Sequence, residues 1–207
     1  MKIITLPVGQ LESNCYIIAD EDSGSAIVVD PGDEPDRILE ELEGLTVVTI
    51  VLTHAHFDHA GAVGEIKEAT GAKVVIHELE QGHYASIRDQ GAMWGFKIPD
   101  LPAPDSFVSD GDELVLADFA FTVIHTPGHT PGGICLYLPE LVITGDTLFA
   151  GSVGRTDFPG GSIAQLKDSF KRLMSLPGET QVLPGHGPAS TIGREKSMNM
   201  FSAEFLS

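Results

Sequence analysis

His54, Ala55, His56, Phe57, Asp58 and His59 follow directly on the apolar run Val47-Val48-Thr49-Ile50-Val51-Leu52-Thr53. Three imidazoles and a carboxylate within six residues form a metal cage if the backbone turns off the strand just before His54. His54 and His56 are two apart and face one side of extended or turning backbone, so they can grip one ion. Asp58 and His59 open a predicted helix, residues 58 to about 70, where they point toward a second ion. The helix dipole favours a carboxylate at that end. Three further donors, His129, Asp146 and His186, each stand at the end of an apolar run of their own. Imidazole suits zinc, iron and copper, and a carboxylate can bridge two such ions. One ion takes three or four protein ligands; seven are on offer, so the count points to two ions. A pair roughly 3.5–4 Å apart clamps a hydroxide and polarises the bond it attacks. Isolated histidines at strand ends are usually hydrogen-bonded turn residues, the reading kept for His77 and His83. His125 reads as a core residue or a support for a ligand.

These donors need strands and turns to carry them. Apolar, β-branched runs predict strands over residues 2–6, 15–19, 26–30, 47–52 and 73–77, with a helix over 34–43 capped near Asp33. A second set of strands is predicted over 113–116, 119–125, 133–138, 141–144 and 181–183, with helices over 162–174 and 193–205. Strand sets joined by short turns, each followed by helices, imply two sheets packed face to face with helices outside. The stretch 80–105 has little period of either kind and holds Met93, Trp94, Phe96 and three prolines. Long loops are often functional, so it is expected either to overhang the metal site as an apolar wall or to be a packed connector.

The chain resembles the metallo-β-lactamase superfamily over nearly its whole length. The resemblance is carried by Thr53-His54-Ala55-His56-Phe57-Asp58-His59, by His129 in Thr126-Pro127-Gly128-His129-Thr130-Pro131-Gly132 and by Asp146 in Thr144-Gly145-Asp146-Thr147. His186 in Pro184-Gly185-His186-Gly187 and the early Val28-Val29-Asp30-Pro31-Gly32 complete it. Within that superfamily, Ser13-Asn14-Cys15-Tyr16, residues 151–158 and residues 191–195 resemble the glyoxalase II-like hydrolases, in the short bacterial branch without the C-terminal helical domain. The resemblance implies an α/β fold, a four-layer αββα sandwich of two mixed sheets with helices outside. It implies that His54, His56 and His129 hold one metal, that Asp58, His59 and His186 hold the other, and that Asp146 bridges them. Asp58 would also orient the hydroxide. Asp30 would orient a ligand imidazole, although it fits equally well as a turn cap before Pro31-Gly32. The implied cofactor is two divalent ions, zinc first, with iron or manganese accepted by the same donors.

The implied reaction is hydrolysis of a small thioester such as S-lactoylglutathione. The thiolate needs no strong acid to leave, since thiols have a pKa of about 8.5. Arg155 offers a planar fork for a substrate carboxylate or a salt bridge to Asp157, and the second reading is favoured. Trp94 is a second candidate for substrate contact. The C-terminal basic residues with which longer relatives grip glutathione have no counterpart, and Asn199-Met200-Phe201 stands where relatives often show Asn-Pro-Phe. Persulfide dioxygenases are the rival resemblance: they share residues 154–158 and use one iron, through positions matching His54, His129 and Asp146. Pro184-Gly185-His186-Gly187-Pro188 matches the hydrolase form better. Class B β-lactamases fit less well, because most carry Cys or Ser at the position of Asp146.

At 207 residues the chain is long enough for one well-buried domain, expected to span 1–207 without a linker. No apolar run reaches membrane-spanning length. Residues 1–8 read as a first strand, too soon interrupted for a secretory signal. Cys15 and Cys135 read as small buried hydrophobes rather than a disulfide, with a reducing cytoplasm the default. Net charge is −18, with 30 acidic residues against 12 basic. Such a surface repels nucleic acid, whose binding rests on cations neutralising phosphates.

Overall fold

Fourteen strands and eight helices run through the computed structural model, which describes all of residues 1–207. By its contacts the chain divides into two units, Met1–Val108 with Val115–Ala120, and Ser109–Leu114 with Phe121–Ser207.

The first unit carries β1 (Lys2–Val8), β2 (Ser13–Ala19), β3 (Ser25–Val29), α1 (Pro35–Glu41), β4 (Thr46–Val51), α2 (Phe57–Ala60) and α3 (Val63–Thr70). They are followed by β5 (Lys73–His77), α4 (Gln81–Ala85), α5 (Ile87–Met93) and β6 (Ser106–Val108). The strands form one mixed sheet in the order β1-β2-β3-β4-β5-β6. β1, β2 and β3 pair antiparallel, and β3 to β6 run parallel. Every second residue along the strands (Cys15, Ile17; Ala26, Val28; Ile50, Leu52; Val74, Ile76) joins Ile38 of α1 and Val63 and Ile66 of α3 in one core. That alternation is the two-residue period of a strand placing one face on its helices. Tyr16, Ile18, Ile27, Val29 and Val51, on the opposite face, are buried as well. A strand dry on both faces reads as an unbroken apolar run, as Ala26 to Val29 of β3 do.

The second unit holds β7 (Glu113–Leu116) and β8 (Phe119–His125), whose tip belongs to the first, then β9 (Ile134–Leu138), β10 (Leu141–Gly145), β11 (Leu148–Phe149) and β12 (Ser152–Val153). It ends with α6 (Ile163–Leu173), β13 (Gln181–Pro184), β14 (Ser190–Thr191), α7 (Ile192–Met198) and α8 (Ser202–Phe205). Its mixed sheet has the order β14-β13-β10-β9-β8-β7, with β10 and β13 parallel. Leu166, Phe170 and Leu173 line one stripe of α6 and pack on Ile124, Cys135, Val142 and Val182 from four strands. Ser162 caps α6 by accepting the Gln165 N–H at 3.4 Å.

Four expectations change. The helix over 58–70 is broken: Ala62 donates its N–H to Pro31 O at 3.0 Å, outside the helix, which separates α2 from α3. The last helix is broken at Asn199, which leaves the helical region at ψ 135° and donates its side-chain amide to Ser152 O at 2.9 Å. The first half of 80–105 is helical rather than irregular. Tyr84, Ile87 and Gly91 are its buried positions, spaced as on one helix face. Asp33 bonds the Glu34 N–H at 2.7 Å and caps no helical amide, because Glu34 itself takes the left-handed conformation before α1. Both cysteines are buried free thiols, and no helix is long and apolar enough to cross a membrane.

Candidate metal centre

Each unit has candidate donors at the C-terminal ends of two neighbouring parallel strands, the usual place for chemistry in layered α/β folds. In the first unit, β3 and β4 end side by side, with Val29 opposite Val51, and the Asp30 N–H donates to Val51 O at 3.1 Å. Asp30 then turns at φ 52°, a left-handed conformation that Asp tolerates better than most residues. His54 and His56 leave the end of β4, and Asp58 and His59 lie in α2. Gly32 lets α2 come close: a Cβ there would sit 1.7 Å from the Asp58 carbonyl oxygen.

Asp30 organises two of these imidazoles. Its Oδ1 accepts the Thr53 N–H at 2.7 Å, and its Oδ2 accepts the Thr53 hydroxyl at 2.6 Å and meets His59 Nδ1 at 3.0 Å. A hydroxyl has one proton to give. With that proton on Asp30, Thr53 Oγ1 can only accept from His54 Nδ1, 3.2 Å away. Both imidazoles therefore carry their proton on Nδ1 and their lone pair on Nε2, the arrangement a metal ligand needs. Donor atoms of Asp30, His54 and His59, all three buried, lie within 4.8 Å of one another. The His54 ring stands 4.2 Å from His59 and 4.8 Å, edge-on, from His56. Asp58 Oδ2 accepts the Ser13 hydroxyl at 3.1 Å and lies 3.6 Å from His59 Nε2.

In the second unit, β10 and β13 run parallel with Gly145 opposite Pro184, so Asp146 and His186 leave adjacent strand ends. The Gly185 N–H donates to Gly145 O at 2.8 Å and joins the two turns. His129 follows Gly128, whose φ of 138° and bare Cα let α6 approach; a Cβ would meet Leu166 N at 2.3 Å. His129 Nδ1 donates to Arg155 O at 2.7 Å, which again leaves the lone pair on Nε2. That nitrogen lies 3.5 Å from Asp146 Oδ2, and His186 Nε2 lies 3.7 Å from the same oxygen.

These nitrogen–oxygen separations discriminate between two chemistries. A charge-assisted hydrogen bond spans about 2.7–2.9 Å. Two ligands of one tetrahedral ion, each about 2.0–2.1 Å from it, are about 3.3 Å apart. The observed 3.5, 3.6 and 3.7 Å exceed both distances and lie nearer the second. The donor set, imidazole nitrogens with carboxylate oxygens, fits zinc, iron or manganese.

Other expected positions behave differently. Arg155 grips Asp157 with two bonds of 2.6 Å and stacks 3.9 Å over Phe158. The guanidinium holds the exposed Asp157 carboxyl at about 2. Trp94 and Met93 are exposed, while Phe96 rests on Phe57 with ring centroids 5.1 Å apart. His125 meets Pro131 O through Nε2 at 2.9 Å, a structural bond. His77 accepts the Leu79 N–H at 3.2 Å, as a turn residue does. His83 is less bland than expected, its ring 6.0 Å from His56. Burial, then the Asp30 charge, pushes the Cys15 thiol and the Tyr16 hydroxyl up. Burial pushes the Cys135 thiol up to about 12. Thr53 and Ser13 stand in the quoted motifs but have no role legible there, and Glu80, which accepts the Ala55 N–H, has no motif at all, because hydroxyl and carboxylate supports of a ligand have no spacing of their own.

A family model described as the metallo-beta-lactamase superfamily matches residues 8–186. The chain belongs to that superfamily. Among curated proteins it is 36% identical to the hydroxyacylglutathione hydrolase GloC of Haemophilus influenzae, over 97% of this chain and 98% of that one. A B3 metallo-beta-lactamase, BLEG-1, superposes with a TM-score of 0.90 at 34% identity, covering 97% and 99% of the two chains. TTHA1623, solved in a di-iron-bound form, has a TM-score of 0.88 at 42% identity, covering 97% and 100%. ETHE1 from Myxococcus xanthus has a TM-score of 0.83 at 32% identity, covering 99% and 85%. The two mixed sheets and their helices are the metallo-beta-lactamase fold, and the chain is a metallo-hydrolase of that superfamily with a His/Asp cluster suited to divalent ions.

Proposed function

We propose that the two units work as one domain over 1–207 and that their donors serve a single two-metal centre that hydrolyses a small thioester, glutathione-linked as in S-lactoylglutathione. In this reading His54, His56 and His129 hold one ion and Asp58, His59 and His186 the other. The observation that carries it is the single Asp146 oxygen facing two imidazole nitrogens at ligand-edge distances, as a carboxylate shared by two ions would. Support comes also from the likeness to GloC and to the di-iron-bound TTHA1623.

When bound, two divalent ions supply a water ionised near neutral pH and a Lewis acid for the acyl oxygen. The protein's part is to set the donors in advance. Asp30, through Thr53 and directly, holds His54 and His59 in the Nδ1-protonated form. Ser13 turns Asp58 toward His59, and the Arg155 carbonyl does for His129 what Asp30 does for His59. No protein acid is needed for the departing thiolate, given a thiol pKa of about 8.5. Arg155, held by Asp157 and Phe158, braces the loop whose carbonyl holds His129.

The likeness to ETHE1 favours a second reading, a single-iron persulfide dioxygenase. One experiment separates them. Purified protein is assayed for metal content, S-lactoylglutathione hydrolysis and oxygen uptake with glutathione persulfide. About two ions per chain with thioester cleavage is the expected result; one iron with oxygen consumption would overturn it. A nitrocefin assay in the same series tests the β-lactam chemistry named for BLEG-1, and no turnover is expected.

A further inference from the structure

Ala55 lies between His54 and His56, and both peptide groups that join these histidines are held from the helical segment beyond β5. The Ala55 N–H, part of the His54–Ala55 peptide, donates to Glu80 Oε2 at 2.8 Å. The Ala55 carbonyl, part of the Ala55–His56 peptide, accepts from Gln90 Nε2 at 3.4 Å. Gln90 Nε2 also meets His83 O at 2.9 Å and Ser86 Oγ at 3.1 Å on its own segment, so its two protons are shared among three acceptors and the Ala55 carbonyl takes the weakest share. Glu80 is buried. A buried carboxylate is costly unless it accepts hydrogen bonds, and the Ala55 N–H is one that it accepts.

We propose that Glu80 and Gln90 form a clamp on the His-x-His backbone, Glu80 being a positioning residue for the ion held by His54 and His56. Rotation of either peptide swings an imidazole. The carboxylate fixes the first plane through a charge-assisted bond, the stronger kind. Gln90 fixes the second through a longer, weaker one. The segment 78–93 thus acts on the centre through backbone rather than by covering it, in keeping with the exposure of Met93 and Trp94.

The proposal rests on His54 and His56 sharing an ion, and its test reads metal binding rather than turnover. Cobalt(II) is titrated into metal-free wild-type protein and into Glu80→Ala, Glu80→Gln and Gln90→Ala, following the visible d–d bands and competition with a chelator. Supporting a ligand from outside the coordination shell is worth about 10–100-fold in metal affinity. Glu80→Ala is expected to lose affinity in that range and to change the cobalt bands. Glu80→Gln, which keeps an acceptor for the Ala55 N–H, is expected to recover most of both. Gln90→Ala is expected to fall between and serves if Glu80→Ala does not fold. Wild-type affinity and bands in Glu80→Ala, or in Gln90→Ala should it stand alone, overturn the clamp. Equal damage from Gln and Ala at position 80 overturns it too. Absence of thioester hydrolysis by the wild-type protein would sink the proposed reaction and leave these readings untouched.

Discussion

Asp30 takes three hydrogen bonds on two oxygens, and the chemistry of each fixes what can replace it. Asparagine tolerates the same left-handed backbone, so a loss in Asp30→Asn is not a backbone effect. Its amide, however, must turn an NH2 group either toward the Thr53 N–H or toward the Thr53 hydroxyl and His59. Donor then faces donor in a dry site. Asp30→Asn is expected to lower the stability of metal-free protein by about 1–3 kcal/mol and metal affinity by about 10–100-fold. Urea unfolding and chelator competition measure the two. A variant with unchanged values would remove Asp30 from the support of His54 and His59. The type and spacing of the donors were plain in the chain. The tautomers were not, because they depend on a threonine hydroxyl proton and on a carbonyl 26 residues from His129.

At the scale of elements, the centre depends on how closely a turn and a short helix approach. The Asp30-Pro31-Gly32 turn and α2 meet where a side chain has no room, 1.7 Å from the Asp58 carbonyl. Gly32→Ala must push α2 away, carrying Asp58 and His59 with it. Overpacking of this kind costs about 1–3 kcal/mol, and the denaturation midpoint of the metal-free variant should fall accordingly. An unchanged midpoint would show that α2 can shift freely. Strands β3, β4, β8 and β10 were legible because they are long apolar runs between turns. The two-residue strands β11, β12 and β14 carry too little sequence to have a period. The helices α4 and α5 were hidden by prolines and glycines nearby, although Tyr84, Ile87 and Gly91 mark their buried face.

For the molecule as a whole, a net charge of −18 sets a background against which any cation helps. Like charges on a compact surface repel one another, and salt screens that repulsion within about 10 Å at 0.1 M. Divalent ions act differently, where they bind the folded chain alone. At a free concentration a hundred times Kd, one such site adds about 2.7 kcal/mol of stability. Thermal unfolding should therefore show two separable effects: a gradual rise with sodium chloride, and a larger drop when a chelator strips the metal at constant ionic strength. A melting curve indifferent to the chelator would argue against folded-state metal sites.

Residue type and period alone marked the candidate donors and the strands that end in them, and the motifs around those donors carried the family resemblance, since each is a local property of the chain: a side-chain type, a spacing, an alternation of apolar residues. Tertiary structure decided which nitrogen of each imidazole bears the proton, where the predicted helices break, and that a buried glutamate holds the peptide between two histidines. Those outcomes depend on groups brought within about 3 Å by the parallel pairing of strands and by close backbone approach, and a sequence records neither distance.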